Sequence, residues 1–174
     1  MDTTRSLLRH FLATLAYRTQ KALRGAPDSF SEFRAGPNVR TPHELIWHMT
    51  GLVGYARTFF TGGVWQPDRL ASFADEVRRF HDILGDLAEH LESGTISADT
   101  SFERLLQGPL ADAMTHVGQL AMLRRLEGSP VPPENFMRAD IQPTNLGQEQ
   151  PPPAAPKPGW RPDQPPPMPG RQLV

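Results

Sequence analysis

The chain contains no cysteine, which excludes disulfides, thiolate metal ligands and a cysteine nucleophile, and leaves any thiol chemistry to an external thiol. It also lacks an excess of charge of either sign: 18 Lys and Arg stand against 19 Asp and Glu, for a formal charge of −1. That balance offers neither a nucleic-acid footprint nor attraction to an anionic membrane surface, so the expected partners are small molecules or proteins. There is no glycine-rich phosphate loop, no GxSxG elbow, no basic-aromatic array and no internal repeat, so nucleotide-binding and serine-hydrolase readings have no motif to stand on. The N-terminus, MDTTRSLLRHFLATLAYRTQ, lacks the unbroken apolar core of a signal peptide because Arg9, His10 and Arg18 interrupt it; no export is expected, and a reducing cytoplasmic location is compatible with the missing cysteines.

What is present is a run of helical patterns. At 174 residues, 38% apolar and 21% charged, the chain fits one globular domain with a sizeable core. Leu8, Phe11, Leu12, Leu15, Ala22 and Leu23 recur at helical spacing and predict a first helix over Thr4–Leu23, with Thr3 or Thr4 as its cap and Gly25 and Pro27 beyond its end. Phe30 and Phe33 lie in a connection bounded by breakers. Thr41-Pro42-His43-Glu44 is a capping box with proline at the first helical position. It opens a second helix whose inward face reads Leu45, His48, Met49, Leu52, Ala56 and Phe59, closed by Gly62-Gly63. Ser72 followed by Asp75 and Glu76 starts a third helix with a stripe of Phe73, Val77, Phe80, Leu84, Leu87 and Leu91, ending at Gly94.

The fourth helical stretch organises the rest. Leu105 to Leu123 reads LLQGPLADAMTHVGQLAML and carries one formal charge. Leu106, Leu110, Ala113, Val117 and Ala121 make one apolar stripe; Leu105, Asp112, His116, Leu120 and Leu123 make a second beside it. A helix apolar on two sides has to be covered on two sides. Its length could span a bilayer, but Gln107, Asp112, Thr115, His116 and Gln119 would be costly in lipid, so a buried helix without membrane insertion is expected. Gly108-Pro109 predicts a kink, and Arg124 and Arg125 suit the negative end of the helix before Gly128 and Pro130 stop it. Four such helices predict an all-α four-helix bundle over residues 1–142. Residues 143–174, rich in Pro and Gln, read as an extended tail favouring polyproline II.

Asp112 and His116, four apart, stand on one face of their helix, and His48 points inward from the second. Imidazole and carboxylate from two helices are the donors a divalent transition metal uses in a bundle, and two histidines with one carboxylate suit Zn, Ni, Fe or Mn. Ligation would also offset the cost of placing Asp112 on an apolar face. The same spacing is satisfied by a hydrogen-bonded core histidine beside a buried helix pair. Gln119, one turn beyond His116, is placed either to hydrogen-bond a ligand or simply on a polar face, and Arg57, Arg124 and Arg125 either hold an anionic substrate or, the commoner case, stand solvated on the surface. His43 is expected to be exposed; His10, His81 and His90 are expected to be solvated or interhelical; Gly118 is expected to allow close helix contact. Trp47, Trp65 and Phe60 are expected in the core or at a dimer contact first, and as pocket wall second.

TPHELIWHM around His48 and DAMTHVGQLAMLRRLEGSPV from Asp112 onward resemble the DinB family of bacterial four-helix bundles, also called DinB/YfiT-like, over about residues 1–140. The resemblance implies one metal histidine from the second helix and two ligands from an HxxxH pattern on the fourth, which fall on His48, Asp112 and His116; this chain has aspartate where the pattern has histidine. It further implies a metal-dependent enzyme, of which the characterised kinds include S-transferases and isomerases using low-molecular-weight thiols such as bacillithiol or mycothiol, and a homodimer. Metal-dependent hydrolysis is a further expectation, and a non-catalytic bundle binding a small ligand or protein partner is the alternative.

Overall fold

In the computed structural model, residues 2–157 and 159–161 are described. Among the described residues four long helices carry the fold. Helix α1 spans Thr3–Leu23; its cap is Asp2, one residue before the expected threonines, whose carboxylate accepts from Arg5 N–H at 3.0 Å. Gly25, at φ +64°, takes the chain out. Helix α2 spans Pro42–Thr61, and both halves of its capping box form: Glu44 N–H donates to Thr41 Oγ1 at 3.2 Å and Thr41 N–H to the Glu44 carboxylate at 2.8 Å. Helix α3, Phe73–Ser93, is capped by Ser72.

The fourth stretch is one path with a break in it. A single turn, α4 (Phe102–Leu105), runs into a π-helical turn over Leu106–Leu110, and α5 then spans Ala111–Leu126. Pro109 has no N–H to donate and its ring crowds the carbonyl four residues back, so the residue before it is driven out of the helical region. Gly108 accepts this at φ −93°, ψ −106°. The expected kink is therefore present, with a consequence for the stripes: Leu105 is buried, whereas Leu106, placed on the first apolar stripe, faces solvent at 41% exposure. The extra residue of the π turn rotates Leu106 away from the face that Leu110, Ala113 and Val117 bury.

The long helices close a ring in which α1 packs on α3 and α5, and α2 packs on α3 and α5. Leu12, Leu15, Leu45, Met49, Val53, Phe80, Leu84, Leu87, Leu110 and Leu120 fill the centre of this ring, and all belong to one apolar cluster. Burying each large side chain is worth roughly 1.5–3 kcal/mol, so the cluster dominates what holds the helices together. Among the described residues the fold is all-α; an isolated antiparallel bridge between Glu134 and Pro156 is the only β pairing. No helix among the described residues is long and apolar enough to cross a membrane.

The segment after α5 is held without periodicity. Gly128 at φ +92° turns the chain, and Ser129 N–H and Gly128 N–H bond back to the Arg124 and Arg125 carbonyls. Residues 131–157 then fold back on themselves and lie against α1 and α3: Arg24 donates to the Gln150 and Pro151 carbonyls at 2.7 and 3.1 Å, and His81 Nδ1 lies 2.6 Å from the Leu146 carbonyl oxygen, with Leu146 against the core. The Pro151–Pro153 run is thus in contact with the helices through its first residue, while the expected polyproline run at Pro165–Pro167 lies outside the described residues.

Candidate metal centre

Helix α2 supplies His48 and α5 supplies Asp112 and His116. One donor atom from each lies within 4.8 Å of the other two. His116 Nε2 is 3.2 Å from Asp112 Oδ1, and the two imidazole rings meet edge to face with centroids 4.7 Å apart. Donors about 2.0–2.2 Å from a tetrahedral ion lie roughly 3.3–3.6 Å from each other, so the His116–Asp112 pair already stands at a ligand–ligand edge. The three residues brought together are those expected from sequence, and two packed helices hold them rather than a loop.

Their burial is graded. His116 is 6% exposed, His48 is half-buried, and the Asp112 side chain is 48% exposed. Asp112 was expected on a buried face; it sits instead in the first turn of α5, just past the kink, where water still reaches the carboxylate and the positive end of the helix favours it. No burial cost has to be offset there. Loss of water around His48 pushes its pKa below the usual imidazole value, the Arg40 guanidinium and His116 push the same way, and Asp112 opposes them. A neutral His48, ready to donate a lone pair, is the result.

Gln119 fixes His116 from the other side. Its Oε1 is 3.0 Å from His116 Nδ1; with the amide so oriented, Nδ1 carries the hydrogen and donates it. The Nε2 lone pair then faces the Asp112 carboxylate oxygen at 3.2 Å. Two lone pairs at that distance need a proton or a cation between them. The alternative is a flipped Gln119 amide, which donates to Nδ1 and lets Nε2–H donate to Asp112.

Two clefts flank the group. His48 lines one of about 380 Å³ with Trp47, Gly51, Trp65 and Pro67; Gln119 and Arg40 line another of about 470 Å³ with Val39, Leu45, Met122 and Leu126. Both tryptophans line the cleft beside His48; Trp65 also packs against the apolar core, as expected, whereas Trp47 is 38% exposed with its indole N–H on the Pro67 carbonyl at 2.9 Å. The Trp65 indole lies directly over Gly54, so closely that a Cβ there would collide with it. A glycine in a helix interior is the signal for this approach. Arg40, next to the capping box, had no sequence signal beyond its charge.

The other singled-out residues have structural work. Arg124 is 4% exposed and its guanidinium donates to the Ala22, Arg24, Gly25 and Ser129 carbonyls at the end of α1. His43, expected to be exposed, is 3% exposed because the 3-10 turn Asp28–Glu32 and Phe73 cover it; Nδ1 is 3.3 Å from Glu32 Oε1. Gly118, expected at a close helix contact, faces open space. His81 is 4% exposed and interhelical as expected, between Gln20 of α1 and the Leu146 carbonyl of the returning segment; His90 Nδ1 lies 2.8 Å from the Asp86 carbonyl one turn back, and His10 is exposed. The chain matches no family model, no curated protein and no solved structure.

Proposed function

We propose that His48, Asp112 and His116 hold a divalent transition metal, and that the ring of helices is a DinB-like four-helix bundle acting as a metal-dependent enzyme. The observation that carries this reading is the meeting of three donor atoms from two helices within 4.8 Å, with His116 Nε2 and Asp112 Oδ1 turned toward each other. The donor set fits the ion: two neutral-capable imidazoles and one carboxylate suit Zn, Ni, Fe or Mn, and a glutamine behind one imidazole sets its tautomer and ring orientation.

A bound ion would supply Lewis acidity, lowering the pKa of a thiol or a water so that it attacks at neutral pH. The chain's own groups define the rest. Gln119 holds His116, the exposed side of Asp112 leaves access from solvent, and Trp47 and Trp65 wall the space beside His48. Arg40 places a cation near His48, where an anionic co-substrate would be held. The reaction we favour is thiol-dependent transfer or isomerisation using a low-molecular-weight thiol, in a cytoplasmic homodimer.

The alternative is a bundle that binds a small ligand or protein partner without catalysis, which the apolar cleft formed by Val39, Leu45, Met122 and Leu126 favours. Titrating chelator-treated protein with each of the four metals while recording its melting temperature separates the readings. Saturation at ~100 times Kd stabilises the native state by about 2.7 kcal/mol, and the His116→Ala protein is expected to show no such rise. Equal melting curves for wild type with and without every metal would remove the metal from the account and leave the binding module.

A further inference from the structure

Helix α5 presents a second set of chemistry-bearing residues on the side away from the metal ligands. At about 100° per residue, Val117, Gly118, Ala121 and Arg125 lie roughly opposite Asp112, His116 and Gln119. With Arg18, Lys21 and Ala22 of α1 and Val131–Phe136 of the returning segment they enclose a cleft of about 280 Å³. That is room for a small metabolite.

The charges in this cleft do not balance. Lys21 Nζ pairs with Glu134 Oε2 at 3.3 Å, which leaves Arg18 and Arg125 as two cations with neither hydrogen bond nor ion pair among the described residues. Arg18 is nevertheless held: its guanidinium lies 4.1 Å from the Phe136 ring centroid, stacked on an aromatic face, with its edge N–H donors uncommitted. Glu134 is satisfied within the chain: its side chain is 0% exposed, Oε1 accepts from the Tyr17 hydroxyl at 2.8 Å and Oε2 lies 3.3 Å from the Lys21 ammonium, so this carboxylate is neutralised and does not repel an anion at the two arginines. Ala22, Val117, Ala121 and Val131 supply an apolar floor beneath these groups.

We propose that this cleft binds a small organic anion, its carboxylate or phosphate on Arg18 and Arg125. Guanidinium forks take either oxyanion in two parallel hydrogen bonds, so the anion's identity is an outcome of the test. The site is independent of the metal centre, and its failure would leave that reading untouched.

The test is isothermal titration of the full chain, in chelator, with malate and with O-phosphoserine. Two variants report on the site. Arg18→Gln/Arg125→Gln removes the cations, and Gly118→Leu fills the cleft from an exposed helical position where an added Cβ meets nothing within 4 Å. At least one of the two anions is expected to bind with Kd at or below about 1 mM, weakened about tenfold or more in the double variant and abolished by Gly118→Leu. Melting curves matching wild type show that both variants are folded. Binding of neither anion to wild type, or binding unchanged in both folded variants, overturns the proposal.

Discussion

Arg124→Met should unfold the protein more easily and should do so through the end of α1. The guanidinium makes five hydrogen bonds: Nε to the Ser129 carbonyl and hydroxyl at 2.8 and 2.9 Å, Nη1 to the Ala22 and Arg24 carbonyls at 2.9 and 3.2 Å, and Nη2 to the Gly25 carbonyl at 3.1 Å. Two of these acceptors, the Ala22 and Arg24 carbonyls, are among the orphans that the C-terminus of α1 leaves behind, and Gly25 is the residue just beyond it. Only the bond to Ala22 is wholly buried; losing it strands an acceptor at a cost of about 1–3 kcal/mol, while water replaces the others at small cost. Removing a cation from the helix C-terminus costs about 0.3–1 kcal/mol more, and removing it from the face of Phe30, 5.4 Å away, about 0.5–1 kcal/mol.

The total is about 3 kcal/mol, which for a chain of this length corresponds to a fall in Tm of roughly 6–12 °C. Burial lowers the pKa of Arg124 while Glu127 opposes the shift, but the group remains charged across the working range. Methionine keeps most of the stem packing, so the loss isolates the guanidinium. Arg124→Lys, with one compact ammonium in place of a fork, should recover no more than about half of it. Urea unfolding with an unchanged m value is the assay. An Arg124→Met protein within about 0.5 kcal/mol of wild type would refute the structural role and return Arg124 to the substrate-binding role its position in the sequence first suggested.

Gly54→Ala should cost about 1–3 kcal/mol, because the added methyl enters the Trp65 indole, and the displaced tryptophan should change its fluorescence. Gly118→Ala, in open space on the same helix as the metal ligands, should instead stabilise by about 0.5–1 kcal/mol in thermal unfolding. His81 is 4% exposed, and burial pushes its pKa below the usual imidazole value despite the Leu146 carbonyl and Asp82. The unfolded chain therefore binds this proton first. Stability is fully present above about pH 6.5 and falls as pH drops below it toward the lowered folded value. Replacing His81 by Gln should flatten that part of the stability–pH curve; an unchanged slope would exclude His81 as a source of it.

The helices were legible where local chemistry decides: Thr41, Pro42 and Glu44 start α2 as their spacing implies, and Gly108-Pro109 breaks the fourth stretch. His48, Asp112 and His116 were legible because an i, i+4 pair and an inward imidazole are properties of helical periodicity alone. Their burial was not, since exposure depends on what covers a face. The π turn exposes Leu106 and Asp112 sits at a helix start near water; a 3-10 turn and Phe73 bury His43. The packing of Leu146, Gln150 and Pro151 on the helices was illegible for another reason. Apart from the single Leu146 side chain against the core, it runs through main-chain carbonyls, which carry no side-chain pattern. Trp65 over Gly54 left only the glycine as its trace.

The central claim is the metal, and elemental analysis of protein purified without an affinity tag or chelator tests it most directly, on wild type, His48→Ala and Asp112→His. The account predicts about one transition-metal ion per chain in wild type, loss of it in His48→Ala, and retention or tighter binding in Asp112→His, where imidazole replaces the carboxylate. A wild type without metal after growth and purification in the presence of all four ions, or a His48→Ala protein that keeps a full complement, would contradict it.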